Sequence, residues 1–343
     1  MKKFVFFLVP VLFATGCANK KNTPDISSVK VNVAVERFDQ DLFAVDTLDL
    51  QRSIPPLQAK YPVLLPIFVK NILGLDSTNF VPGIKEFLRL TQPIQDSAAM
   101  VFKEAGFIKN DFEKAFRFVK YYFPDYQLPK IITVLGPVYA LAQTSNGYSP
   151  DFLGPDFLGI SLQFYLGNDF SVYKNPNFIA EVAPAFRSRR FSKEYIVSDA
   201  MQLIVDDLFP DKSNTRPLIE QIIEKGKQWW LLDKFLPEVS DSLKTGYTRQ
   251  QLEWCVANEG LIWSYIIKNE DLYSINNATI QTYIGEGPFT QVFSHELSPG
   301  NIGPWIGWQI VKKYAENNPG KSPAVIMQAS AKQVLEEAKY KPK

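Results

Sequence analysis

The chain has 343 residues, more than a single core usually holds, and 46% of them are hydrophobic, so it is built to fold rather than to stay disordered. Its 37 basic and 36 acidic side chains nearly cancel, which removes the electrostatic ground for a nucleic-acid partner. One histidine, His295, excludes an H-E-x-x-H zinc site and any catalytic constellation that needs two imidazoles.

Lys2 and Lys3 precede an apolar run from Phe4 to Ala14, followed by Thr15, Gly16 and Cys17. That run contains Pro10 and falls short of the roughly 20 residues that span a bilayer as a helix, so residues 1–16 read as a secretory signal peptide. Ala14-Thr15-Gly16-Cys17 resembles the lipobox of bacterial lipoproteins, with Ala14 in place of the usual leucine. The resemblance implies cleavage before Cys17, then palmitate-type acylation on its sulfur and nitrogen. At about 0.8 kcal/mol per buried methylene, three acyl chains hold a protein on a membrane. The polar, aperiodic segment up to Ser28 reads as a tether, so residues 17–28 are lipidated cysteine and linker and 29–343 one folded domain. Cys255 is then left without a disulfide partner; its helical context predicts a buried, inert thiol, with a nucleophile as the alternative.

Val29, Val31, Val33 and Val35 alternate with polar or small residues and predict an opening strand. From Leu42 to Phe123 the apolar residues fall at helical spacings, and prolines 55, 56, 62, 66, 82 and 93 are expected to break the run into short helices. Further strands are predicted at Ile131–Leu135 and Ile160–Leu166. Between them Asp151-Phe152-Leu153-Gly154 is echoed by Asp156-Phe157-Leu158-Gly159, too short to be a structural repeat; it reads as a loop tucked over the core, an exposed partner surface being the alternative. Helices follow at 193–208, 215–235, 249–268, 302–317 and 323–339. Strands early and helices late give a mainly helical α+β fold with a small sheet.

The chemical motifs are sparse. Ala315 to Ser322 fits a relaxed P-loop pattern but leaves a helix instead of following a strand, and Ser171-x-x-Lys174 is a chance-level Ser-Lys match. His295 reads as a surface or capping residue, with a general base as the alternative. Asp199, Gln202 and Asp206 form one polar stripe on the 193–208 helix. Glu259 falls in the apolar series Leu252, Val256, Trp263 and Ile266, where a carboxylate needs a partner; Arg187, Arg189 and Arg190 are candidates, and a functional acid or metal ligand is the alternative. In Asn301-Ile302-Gly303-Pro304-Trp305-Ile306-Gly307-Trp308 the two glycines permit close approach of another backbone, and the tryptophans read as core.

Val35-Glu36-Arg37-Phe38-Asp39-Gln40-Asp41-Leu42-Phe43, Leu158 to Asp169, Tyr195 to Pro210 and Pro299 to Tyr314, in this order behind a lipobox, resemble the gliding-motility lipoprotein B family from about Val29 to Asn318. That family is similar to predicted zincin-type zinc peptidases, which implies a zincin-like fold. Ser198-Asp199-Ala200-Met201-Gln202 is the best register for the lost zinc motif, with Ser198 and Gln202 at the histidine positions and Asp199 at the catalytic glutamate; Glu259 would be a remnant of the distal acidic ligand. The resemblance therefore implies a pseudoenzyme with no metal and no cofactor. It would act on gliding or envelope proteins from the periplasmic side of the outer membrane, with the inner membrane or the cell surface as the alternatives and no nucleic acid involved. The rivals are a hydrolase using Asp199, Asp206 and Glu259 with or without a hard divalent ion, and a ligand-binding lipoprotein with an aromatic pocket from Trp229, Trp230, Trp263, Trp305 and Trp308. Metabolic labelling with a palmitate analogue should mark the wild type and leave Cys17→Ala unmarked; equal labelling of both would refute acylation at Cys17.

Overall fold

A computed structural model describes residues 23–343, apart from 105, 145–146 and 269–270; Cys17 and the signal segment lie outside the described residues. Six short strands are formed: β1 (Val35–Arg37), β2 (Lys130–Val134), β3 (Ala142–Thr144), β4 (Gly147–Ser149), β5 (Phe152–Leu153) and β6 (Phe157–Ser161). The main sheet has the order β1-β2-β6-β5. β2 pairs in parallel with β1 and β6, Ile131 facing Val35 and Leu158, while β5 runs antiparallel to β6. β3 and β4 make a separate hairpin.

The sheet is covered on both sides. Ile132, Val134 and Phe157 pack with Phe38, Leu42, Phe68, Ile84 and Leu88. Their chain neighbours Ile131, Leu158 and Ile160 face the larger core, built with Phe112, Phe116 and the helices of the carboxyl-terminal half. A central parallel strand is buried on both faces, so its residues do not alternate with polar ones, and the pattern read over 160–166 misplaced this strand. The ladder spans Phe157–Ser161 and passes into a 3₁₀ turn at Leu162–Phe164. At the amino end the valine alternation reports burial correctly, with Val33 buried between exposed neighbours, but the ladder begins only at Val35.

Two helix expectations change. Pro55 and Pro56 lie inside the Leu50–Lys60 helix and Pro93 inside the Phe80–Val101 helix. All three are on exposed faces, where water serves a carbonyl that has lost its N–H partner. The helix expected at 249–268 breaks at Asn258, whose side chain donates to Trp254 O at 2.8 Å, into Arg249–Ala257 and Glu259–Lys268. The one expected at 323–339 breaks before Ala331, where Ser330 Oγ caps Gln333 N at 3.1 Å.

The helices Leu218–Phe235 and Ile302–Asn317 form the closest helix pair. A Cβ on Gly307 would stand 1.9 Å from Ile222 O, and one on Gly226 2.1 Å from the Gly307 carbonyl carbon. Glycine is therefore required on both sides, as the Gly303/Gly307 spacing predicted for one of them. Trp305 and Trp308 beside this crossing are buried, as core residues. Gly307→Ala should lower the unfolding free energy in urea by about 3 kcal/mol, the upper range for forcing atoms into a packed core. Gly320→Ala, with nothing within 4 Å of the added carbon, should change it by less than about 0.5 kcal/mol.

Candidate functional site

A polar cleft of about 120 Å³ opens where the β3–β4 hairpin, the Arg187–Arg190 turn and several helices meet. The Ile196–Leu208 helix turns Asp199, Gln202 and Asp206 into it, and the Leu218–Phe235 helix contributes Lys225, Gln228 and Trp229. The stripe seen in the sequence is thus one wall of a cavity. Its opposite face, with Ile196, Ala200, Met201 and Ile204, enters the core.

Beneath the cleft lies Asp151, fully buried. Ser161 N donates to its Oδ1 at 3.0 Å, and its own N–H donates to Ser149 Oγ at 3.1 Å, so β4 and β6 both fix it. Tyr165 Oη stands 2.7 Å from Asp151 Oδ2 and, in a longer contact, 3.4 Å from Asp199 Oδ2. Burial pushes Asp151 up to about 8. Burial also raises Asp199, to about 6, against the opposing pull of the Arg190 charge and the Tyr165 hydroxyl. One phenolic proton cannot serve two carboxylates. The Tyr165 hydroxyl donates to Asp151 Oδ2 in the shorter contact, and Asp199 Oδ2 competes for the same proton at the longer distance. This orders three polar groups into a chain from the core to the cleft.

The remaining charged groups around the cleft have partners. Glu286 pairs with Arg187 and lies 3.7 Å from Arg190, and Lys225 is 3.3 Å from Asp211. Gln228 Nε2 donates to Asp206 Oδ1 at 3.3 Å, and Gln202 Nε2 to Lys244 O at 3.2 Å.

Several sequence candidates fall elsewhere. Ser198 is fully buried on the core side, with its Oγ lacking a hydrogen-bond partner, so Ser198 does not share the cleft with Asp199 and Gln202. Glu259 is also remote: it opens the helix after the Asn258 break, where negative charge is favoured, and accepts from Tyr340 Oη at 2.5 Å. None of Arg187, Arg189 and Arg190 is its partner, since Arg189 binds Gly246 O and Gln251 and the other two face Glu286. The break is why the apolar series through Glu259 is not one face; Val256 is exposed and Ile266 buried. Of the five tryptophans only Trp229 lines the cleft; Trp230, Trp305 and Trp308 are core, and Trp263 packs on Tyr340, so they build no common pocket. His295 is exposed and stacked on Phe289 at 4.1 Å. Cys255 is buried, which drives its thiol far above its ordinary range. Lys174 pairs with Asp169, and Lys321 with Glu337 and the Tyr314 hydroxyl, so neither lysine stands in the motif that singled it out.

The fold and cleft define a mainly helical α+β protein whose surface cavity is floored by a linked carboxylate pair. Residues 19–342 match the family described as gliding motility protein GldB, and the chain belongs to that family, a lipoprotein family of the cell envelope. No curated protein and no solved structure gives a match. No described helix is long and apolar enough to cross a membrane.

Asp151 and Tyr165 were not singled out from the sequence. The only signal was the repeated Asp-Phe-Leu-Gly, and it does not distinguish Asp151 from Asp156, which is exposed and 3.9 Å from Lys130. Because the folded-state value of Asp151 lies above its unfolded value of 3.8, its protonated form stabilises the fold at low pH. Stability should fall as pH rises toward and through 8, at up to roughly 1.4 kcal/mol per unit. Asp199 adds a smaller loss of the same sign, complete near pH 6. Asp151→Asn keeps a neutral donor in place and should flatten the profile between pH 6 and 8 in thermal melts; an unchanged slope would refute the assignment.

Proposed function

We propose that this protein is a non-catalytic, lipid-anchored component of the gliding machinery and its linked secretion system. In this reading it faces the periplasm from the outer membrane and acts by binding protein partners. Membership of the gliding-motility family supports the setting. The linker Ala18-Asn19-Lys20-Lys21 is basic and lacks an acidic stretch after the cysteine, which favours retention on the periplasmic side.

The observation that carries the non-catalytic reading is the cleft wall formed by the Ile196–Leu208 helix. If the fold descends from a zincin-type peptidase, this is the helix that held the zinc ligands, and it now presents Asp199, Gln202 and Asp206 with no imidazole. Among the described residues no three His, Cys, Asp or Glu side chains gather as a metal site. The convergence of Asp199 and Asp206 on one cavity favours a second reading, a carboxylate-based hydrolase. Glu259 has no part in it.

Affinity capture from detergent-solubilised envelopes separates the two. The adaptor reading predicts envelope proteins enriched above an untagged control, and loss of spreading on agar wherever capture is lost. Asp199→Asn and Asp206→Asn variants that lose motility while capture stays intact would favour the hydrolase. Failure to enrich any envelope protein would overturn the adaptor.

A further inference from the structure

The cleft is small. A volume of about 120 Å³ is well below the roughly 300–1,000 Å³ of sites that enclose a drug-sized ligand, so it admits a single side-chain head or chain terminus. Its charges are not equally committed. Arg187 and Arg190 are turned onto Glu286, and Lys225 onto Asp211. Asp199 faces the cavity with its Oδ2 touched only from below by Tyr165, and no described cation lies within 4.0 Å of it. The group with unspent hydrogen-bonding capacity is thus an anionic acceptor, in a cavity where Arg187 and Arg190 share the one carboxylate of Glu286 and the Arg190 charge also acts on Asp199. Trp229 adds an aromatic wall, and the side-chain carbonyl oxygen of Gln202 is a further acceptor at the same opening.

We propose that this cleft is a binding site for a primary ammonium group, a lysine side chain or a free amino terminus, with Asp199 as the ion-pairing residue. The ammonium donates to Asp199 Oδ1 and Oδ2 and to the Gln202 amide oxygen, while Trp229 covers its methylene stem. The Tyr165 hydroxyl stabilises Asp199 in the charged form that such a ligand requires. Asp151, the closer acceptor of that hydroxyl, fixes its position at 2.7 Å. An anion would have to compete with Glu286 for Arg187 and Arg190 and would meet the like charges of Asp199 and Asp206 in the same cleft. The proposal deepens the adaptor reading by naming what the cleft recognises. Its test uses the isolated protein, so its failure would leave partner capture untouched.

The acylated full-length protein in detergent micelles is titrated calorimetrically with four compounds. Nα-acetyl-lysine amide carries only the side-chain ammonium, alanine amide only the α-ammonium, Nα,Nε-diacetyl-lysine amide neither, and sodium acetate supplies an anion. Saturable binding of one of the ammonium compounds, with the diacetyl compound at least about tenfold weaker, is expected; the compound that binds identifies the source. Asp199→Asn should weaken it about tenfold or more. Beneath and beside Asp199 the titratable groups are Tyr165, Asp151 and Tyr195; around the cleft they are Arg187, Arg190, Lys225, Asp206 and Glu286, with Tyr148 on the hairpin. Asp151 is raised by its burial, and its ionisation near 8 adds negative charge. Binding should therefore rise as pH passes about 6 and not fall again below the range where the amine itself titrates. Tyr165→Phe, which removes one donor to Asp199, should move that midpoint upward and keep binding at pH 8, and it serves if Asp199→Asn does not fold. Saturation by acetate alone, unchanged ammonium binding to Asp199→Asn, or no saturable binding by either ammonium would overturn the proposal.

Discussion

A carboxyl group in a fully buried position must be neutral or be met by donors, and Asp151 is both. It accepts from the β6 backbone at Ser161, is braced by Ser149 of β4, and meets Tyr165 just beyond the sheet. Each of those groups belongs to a different segment. The hairpin, the sheet and the Ile196–Leu208 helix are thereby tied at one point, and the cavity above has Asp199 at its floor. Were Asp151 replaced by an apolar side chain, Ser161 N would lose its side-chain acceptor in the core and the Tyr165 hydroxyl would keep only its longer contact to Asp199, which costs more than either hydrogen bond contributes.

The cleft also depends on a contact well outside the carboxylate chain. The Leu218–Phe235 and Ile302–Asn317 helices touch through Gly226 and Gly307, which sets the position of Lys225, Gln228 and Trp229 along the cleft wall. Trp229 packs edge-on against Trp308 at 6.1 Å, so the wall is an extension of the core. Around it buried lysines are compensated: Lys227 donates to Glu224 and to Ala329 O, and Lys244 is paired with Asp233 and Asp241. The charged groups near the cleft are thus held in fixed places, as recognition requires.

The echoed Asp-Phe-Leu-Gly shows where legibility stopped. The two copies pair as the β5–β6 hairpin, Phe152 opposite Gly159 and Leu153 opposite Leu158. Each glycine lies beneath the phenylalanine of the other copy: a Cβ on Gly159 would meet the Phe152 ring at 2.6 Å, and one on Gly154 the Phe157 ring at 2.3 Å. The unit is a pseudo-symmetric clasp rather than a loop. Identical local sequence nonetheless has opposite fates, since Asp151 is sealed under Tyr165 while Asp156 sits in the exposed turn.

Local chemistry determined what depends on neighbours in the chain: the exclusion of sites that need two imidazoles, most helices, and the polar stripe Asp199-Gln202-Asp206. The close approach at Gly307 was also legible, because a glycine pair four apart on an apolar helix has few other uses. Tertiary structure decided the rest. It placed Ser198 in the core and Asp199 in the cleft, gave Glu259 to Tyr340 instead of an arginine, and dispersed the tryptophans. Helical periodicity orders residues around an axis but does not say which other segment meets each face. Burial of a carboxylate, and with it the hydrogen bond from Tyr165, arises only when segments distant in sequence close over it.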